Sequence, residues 1–155
     1  MISSLPYRLG VGLVIVNSAS KIFTGRRLDN TNAWQMPQGG IDDNEIPLEA
    51  AYREMGEETG IEKCKVALLK QSKLWYRYDL PNKIQSKFWG GKFRGQSQKW
   101  FLFKFIGVDS DINIETKEPE FADWRWSTKS DMLDSIVPFK KSLYQAVLKD
   151  FEFDV

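Results

Sequence analysis

The sequence predicts an α/β fold in which a mixed β-sheet is covered by helices, and three observations carry that prediction. Apolar runs of strand length, among them VGLVIV (11–16) and WFLF (100–103), are rich in β-branched and aromatic residues. Two other stretches repeat apolar residues at helical spacing. The elements follow one another as strands, helix, strands, helix, an order that suits a sheet with helices packed on it. At 155 residues the chain has the length of one ordinary domain. A single domain is therefore expected over 1–155, with its core at about 7–150.

RLGVGLVIVN (8–17) and KIFTGRR (21–27) read as two strands joined by the turn-like NSAS, which predicts a hairpin. WQMPQGGIDDNE (34–45) is loop punctuation, with Pro37, the Gly39–Gly40 pair and an Asp-Asp-Asn cluster. A helix is predicted after it, with Pro47 tolerated in the first turn and Gly60 as the C-terminal cap. Leu48, Ala51, Tyr52 and Met55 form its apolar face. KVALLKQSKLWYRYDL (65–80) and KWFLFKFIG (99–107) read as strands separated by an insertion containing Gly, Lys and aromatic residues. ADWRWS (122–127) reads as a short strand with alternating Trp. PFKKSLYQAVLKDF (138–151) begins with Pro and repeats Phe139, Leu143 and Val147 at four-residue intervals, the mark of a closing amphipathic helix.

Six tryptophans and an aromatic content of 14% belong to a folded globular chain, and no repeat or low-complexity tract is present. No apolar run has the length of a membrane span, and MISSLPYRLG lacks the charged and apolar regions of a secretion signal. A cytoplasmic protein without membrane association is expected. Cys64 is the only cysteine, so an internal disulfide is impossible and a structural zinc site is short of soft ligands. The chain has no histidine, which removes imidazole-based triads and metal sites. Acid–base or metal chemistry must then rest on carboxylates, Lys, Tyr, Arg or water.

The net charge of +1 hides an uneven distribution. Residues 39–61 carry seven acids and one base, whereas residues 63–104 carry eleven bases and one acid. An acidic centre is followed by a basic segment with an excess of ten positive charges, which favours a polyanionic partner such as RNA over a small sugar nucleotide.

Within the acidic centre, Glu54, Glu57 and Glu58 stand at i, i+3 and i+4, so a helix places all three on one stripe away from its apolar face. A solvated acidic face is the plain reading of such a run. Several local rules are broken together, however. Like charges at i, i+4 cost a few tenths of a kcal/mol, acids in the last turn oppose the helix dipole, and Gly56 costs about 1 kcal/mol relative to Ala. Such concentrated conflict is expected where a site, rather than a fold, is being specified. Hard divalent cations, Mg²⁺ or Mn²⁺, take carboxylate oxygens and relieve the repulsion, with substrate phosphates completing the coordination.

The segment 39–61 resembles the signature of the Nudix hydrolases, G-x₅-E-x₇-R-E-U-x-E-E-x-G-U with U apolar. Gly39, Glu45, Arg53, Glu54, Met55, Glu57, Glu58, Gly60 and Ile61 occupy every specified position. The resemblance implies an α/β/α sandwich with the motif as a loop, helix, loop, and metal-dependent hydrolysis of a nucleoside diphosphate linked to another moiety. It also implies that Glu54, Glu57 and Glu58 hold the metal and that one of the three, Glu54 as first choice, accepts a proton from the attacking water. Glu45 would pair with Arg53, which orients the site, and Gly39 and Gly60 would be structural.

Across nearly the whole chain the sequence is also similar to the bacterial RNA pyrophosphohydrolases and the related dinucleoside polyphosphate hydrolases. The matching pieces include YRLGVGLVIVN, WQMPQGGI, LWYRYDLP, GQSQKWFLFKF and PEFADWRW. That similarity implies a further metal ligand at Glu120, with Glu118 a nearby decoy. It implies contacts to 5′ phosphates or first nucleotides from Arg8 and Arg27, and base stacking by Tyr78 and Phe139. Gln96, Gln98 and Lys99 are expected to line the nucleotide groove. The bland readings stay beside these: exposed Arg and Glu facing solvent, and Tyr78 and Phe139 as core. The expected activity is removal of pyrophosphate from the 5′-triphosphate end of RNA. The alternatives are hydrolysis of diadenosine tetraphosphate and a non-catalytic RNA- or nucleotide-binding module, the last disfavoured because every motif acid is present.

Overall fold

β1 (Tyr7–Val16) is the spine of the sheet. Its alternation sends Val14 and Val16 to one face and Val11, Leu13 and Ile15 to the other. Both faces are covered, which is why the strand reads as a nearly continuous apolar run. β1 lies parallel to β7 (Gly95–Phe105) along its whole length, from Tyr7 opposite Gly95 to Val16 opposite Lys104. The structure, a computed structural model, describes residues 4–30 and 32–151. Residues 1–3, 31 and 152–155, including both ends of the expected domain, lie outside the described residues.

The predicted hairpin is confined to its turn. β2 (Ile22–Arg27) meets β1 antiparallel with Val16 opposite Ile22, then diverges to pair with β3 (Trp34–Gln35) and β8 (Phe121–Ser127). The reason lies on β1, whose same edge is occupied further back by β4 (Gln38–Gly40), with Gly10, Val11 and Gly12 opposite Gly40, Gly39 and Gln38. The stretch 65–80 is likewise two strands rather than one. β5 (Val66–Gln71) and β6 (Tyr76–Asp79) both run antiparallel to β7. Ser72 pins the break between them: its N–H donates to the Trp100 carbonyl at 2.8 Å, and its hydroxyl accepts from the Trp100 N–H at 3.0 Å. The same hydroxyl donates to the Leu74 carbonyl at 2.8 Å.

α1 (Pro47–Thr59) starts at Pro47 as expected and stops at Gly60, whose φ of 70° is left-handed and whose N–H donates to the Gly56 carbonyl. It buries Ala50, Ala51 and Met55 against Phe101 and Phe103, while Leu48 and Tyr52 are only partly buried. A side chain at Gly56 would meet nothing within 4 Å, so no packing contact explains the choice of glycine there. The other sheet face is covered by α2 (Lys129–Ser135) and α3 (Lys141–Asp150). α2 was not foreseen. It has only seven residues, and its clearest signal is the Thr128 cap, whose hydroxyl accepts from the Asp131 N–H at 3.1 Å. α3 seats Leu143, Tyr144, Val147 and Leu148 against Trp100 and Leu102, and the preceding Pro138–Lys140 forms a 3₁₀ turn. The result is an α/β/α arrangement around a mixed eight-stranded sheet. Among the described residues no helix is long and apolar enough to cross a membrane.

Candidate active site

A cleft of about 680 Å³ opens where α1, the β4 strand and the 3₁₀ turn before α3 come together. One wall is acidic. Glu58 is 5% exposed and accepts the Gln38 N–H at 3.1 Å, tying α1 to β4. Glu54 lies against the backbone of Gly39, where a Cβ would overlap its carboxylate. Glu57 is the exposed member of the stripe.

Arg53 organises this wall. Its Nε and Nη2 donate to the two carboxylate oxygens of Glu45 at 2.8 and 2.9 Å, and Nη2 also donates to the Gly40 carbonyl at 2.8 Å. Nη1 donates to Glu54 at 2.8 Å and to Glu57 at 3.1 Å. The planar guanidinium thus spans helix and loop in a way that a lysine could not. Glu45 in turn accepts from the Asp42 N–H at 3.0 Å, closing the turn that leads into α1.

Burial raises Glu54 to about 7, with Glu57 adding repulsion against the lowering effect of Arg53. Burial together with the neighbouring Glu54 charge pushes Glu58 well above the ordinary carboxylate range. Glu120 comes from the loop before β8 and acts on Glu58 across the cleft; burial also raises it, opposed by Arg27. Among the described residues no three acidic side chains stand gathered as a ready metal cluster; here Arg53 holds Glu54 and Glu57. The chemistry of the donors nevertheless fits a hard divalent cation. All are carboxylate oxygens, and two are held at a protonation cost that a cation would remove.

The opposite wall is cationic and aromatic. Arg27 Nε donates to Asp29 at 2.6 Å, Arg8 and Arg27 both line the cleft, and the Tyr78 and Phe139 rings lie 5.9 Å apart. Both bland readings of that pair hold in part, since Tyr78 is buried and Phe139 packs on the core, yet both also face the cleft. Lys140 was missed by the sequence reading. It is 3% exposed, with Nζ 5.1 Å from the Tyr78 ring centroid and at the limit of hydrogen bonding, 3.5 Å, to Gln35 Oε1. Burial and the nearby Arg27 lower it to about 7, against the pull of Glu58 and Asp29. A signal was available: Lys140 precedes Tyr144 by four residues and so places a charge on the apolar stripe.

Several expectations need correction. Gln96 and Gln98 are buried beneath the cleft, where Gln98 Nε2 donates to Gln96 at 2.8 Å and to Gln38 at 2.7 Å. Lys99, by strand alternation, shares the β7 face of Phe101 and Phe103 beneath α1. None of these three lines the cleft. Nor does any Lys or Arg of the basic segment 63–104; among the described residues the cations that do are Arg8, Arg27, Lys117 and Lys140. Glu118 lines the cleft together with Glu120, so the two are separated by their neighbours rather than by access.

The NUDIX domain profile matches residues 6–147. The chain belongs to the Nudix family. Members of this family generally require a divalent metal. Among Nudix relatives, an RNA pyrophosphohydrolase of Rickettsia bellii is 53% identical over 150 residues, covering 96% of this chain and 92% of the relative. Another of that description from Dinoroseobacter shibae is 51% identical, covering 97% and 94%. Among solved structures, the E. coli dihydroneopterin triphosphate pyrophosphohydrolase superposes with a TM-score of 0.72 at 17% identity, covering 93% of this chain and 96% of that one. A C. elegans Ap4A hydrolase complex gives 0.68 at 21%, covering 94% and 98%. At these identities the two structures speak for the Nudix fold alone.

Proposed function

We propose that this chain is an RNA pyrophosphohydrolase: water attacks phosphorus at the 5′-triphosphate end of RNA, the α–β anhydride bond breaks, and pyrophosphate leaves behind a 5′-monophosphate. The observation that carries the reading is the cleft itself, an acidic wall facing Arg8, Arg27 and Lys140 beside an aromatic pair. Relatives described as RNA pyrophosphohydrolases, more than half identical over nearly the whole chain, support RNA as the substrate.

Glu54, Glu57, Glu58 and Glu120 would hold the divalent metal, Mg²⁺ by preference and Mn²⁺ as an alternative. When bound it neutralises phosphate oxygens, lowers the pKa of water and aligns attack. Glu54, held by Arg53 and seated against Gly39, would also take the proton of the attacking water. Arg8, Arg27 and Lys140 supply positive charge for the polyphosphate, and Tyr78 and Phe139 offer a face to a base. Arg53 touches no substrate in this scheme; it fixes the carboxylates. A cytoplasmic enzyme preparing transcripts for decay fits this activity.

A dinucleoside polyphosphate presents the same combination of phosphates and base, and the Tyr78–Phe139 pair would serve it equally well. An assay with Mg²⁺ and RNA labelled at the 5′ γ or α phosphate tests the main reading, with labelled pyrophosphate expected from the first and a 5′-monophosphate from the second. Competition against diadenosine tetraphosphate at equal concentration decides between the two, and a much higher kcat/KM for the dinucleotide would overturn the RNA assignment.

A further inference from the structure

The segment between β6 and β7 contributes an aromatic to the cleft that the similarity to the RNA pyrophosphohydrolases left unassigned. The loop is closed at its base by the Leu80 N–H donating to the Arg94 carbonyl at 2.8 Å, reinforced by the Arg94–Asp79 ion pair at 2.9 Å. At its tip, Trp89, Gly90 and Gly91 all have positive φ, 49°, 66° and 71°. For the two glycines this conformation is free of strain. For a tryptophan it costs about 1–2 kcal/mol, and a chain that needed only a tight turn would carry a third glycine.

The indole kept at that cost lines the cleft, with Phe88 and Phe93 bracing it at centroid distances of 5.8 and 6.2 Å. The Arg8 guanidinium lies over its ring, 5.2 Å from the centroid, within cation–π range. Arg8 is also pressed against Gly40, where a Cβ would overlap the guanidinium. Arg8 therefore touches both the loop and the last residue of β4, and its charge is felt by Glu54 on the acidic wall.

We propose that Trp89 is a positioning residue that holds the Arg8 guanidinium, by its ring face, in the orientation that receives the substrate's phosphates. The inference rests on the polyphosphate reading above but not on the choice between RNA and a dinucleotide. An arginine at the start of a strand has a long, mobile stem, and confining it beforehand lowers the entropy cost of clamping a phosphate. Left-handed backbone at Trp89, Gly90 and Gly91 turns the chain at the loop tip, where the indole lines the cleft.

The test measures kcat/KM on whichever polyphosphate substrate the wild type turns over, so a failed RNA assignment shows in the wild-type rates and a failure of this proposal in the variant ratios. Trp89→Leu is expected to lower kcat/KM about five- to tenfold, with Trp89→Phe within about threefold of wild type. In an Arg8→Ala background the leucine change should cost less than about twofold, because the group it serves is gone. Circular dichroism and thermal unfolding check that each variant is folded. If the leucine variant does not fold, site-specific replacement of Trp89 by tryptophans of increasing fluorine content keeps the shape and weakens the ring's negative face. Activity falling with each fluorine supports the proposal. A flat fluorine series, or an equal loss from Trp89→Leu with and without Arg8, overturns it.

Discussion

Arg53 and Glu45 form a two-pronged ion pair, at 2.8 and 2.9 Å, that locks the acidic helix to the loop preceding it. The remaining guanidinium nitrogen reaches Glu54 and Glu57, so one side chain sets the spacing of two candidate metal ligands. Replacing Arg53 by Lys keeps the charge and removes the fork. The expected outcome is a loss of about 1 kcal/mol in urea unfolding and a fall of about 10–100-fold in kcat/KM. Glu45→Gln should cost less when Lys already stands at 53 than in the wild type, a coupling measurable as a double-mutant cycle. Independent, additive losses would remove Arg53 from its positioning role.

Glu58 is buried at the root of the site, and its charge is the expensive one. Its folded pKa and that of Glu54 lie above the ordinary 4.5, so the stability they contribute is complete below about 4.5 and is lost as pH rises through about 7 and beyond. Lys140 acts in the other direction. Its folded value of about 7 lies below the ordinary 10.5, so its contribution is complete above 10.5 and is lost as pH falls through 7. Metal-free protein should therefore show a shallow minimum in thermal stability near neutral pH. Glu58→Gln should flatten the acid limb and raise the metal-free midpoint at pH 8 by about 3–6 °C, while cutting Mg²⁺-dependent turnover at least about 10³-fold. Mg²⁺ should stabilise the wild type and not the variant. A variant that keeps its turnover, or one less stable than the wild type at pH 8, contradicts the account of this residue.

Glu118 and Glu120 both face the cleft, but only Glu120 acts on Glu58 and Arg27. Glu120→Gln is expected to lower activity and weaken Mg²⁺ affinity by about 10–100-fold, and Glu118→Gln to change either by less than about twofold. Metal titrations followed by activity and by thermal shift separate the two. The reverse ranking would move the fourth carboxylate to Glu118.

Much of the site was legible because helical geometry is a local rule. Glu54, Glu57 and Glu58 share a stripe whatever the rest of the molecule does, and the bounds of α1 follow from Pro47 and Gly60. The strand pairing was less legible. RLGVGLVIVN and KIFTGRR look like a hairpin in isolation, and they separate only because β4 competes for the same edge of β1. Gln96, Gln98 and Lys99 were misplaced for a related reason. Gln96 and Gln98 point to one face of β7 and are buried beneath Gln38, Lys99 points to the other beneath α1, and the packing of distant elements on both faces keeps all three out of the cleft.

By itself the sequence determined the α/β class, the acidic helix, its Arg53–Glu45 partnership by resemblance, and the oxygen-only character of any metal chemistry. Those properties depend on residue type and on separations of a few positions. Only the tertiary structure decided which cations face that helix. None of the eleven bases of the 63–104 segment lines the cleft, and Arg8, Arg27, Lys117 and Lys140, scattered from one end of the chain to the other, line it instead. Charge summed along a chain reports composition, whereas the field in a cleft depends on which side chains the folded backbone brings within a few ångströms of one another.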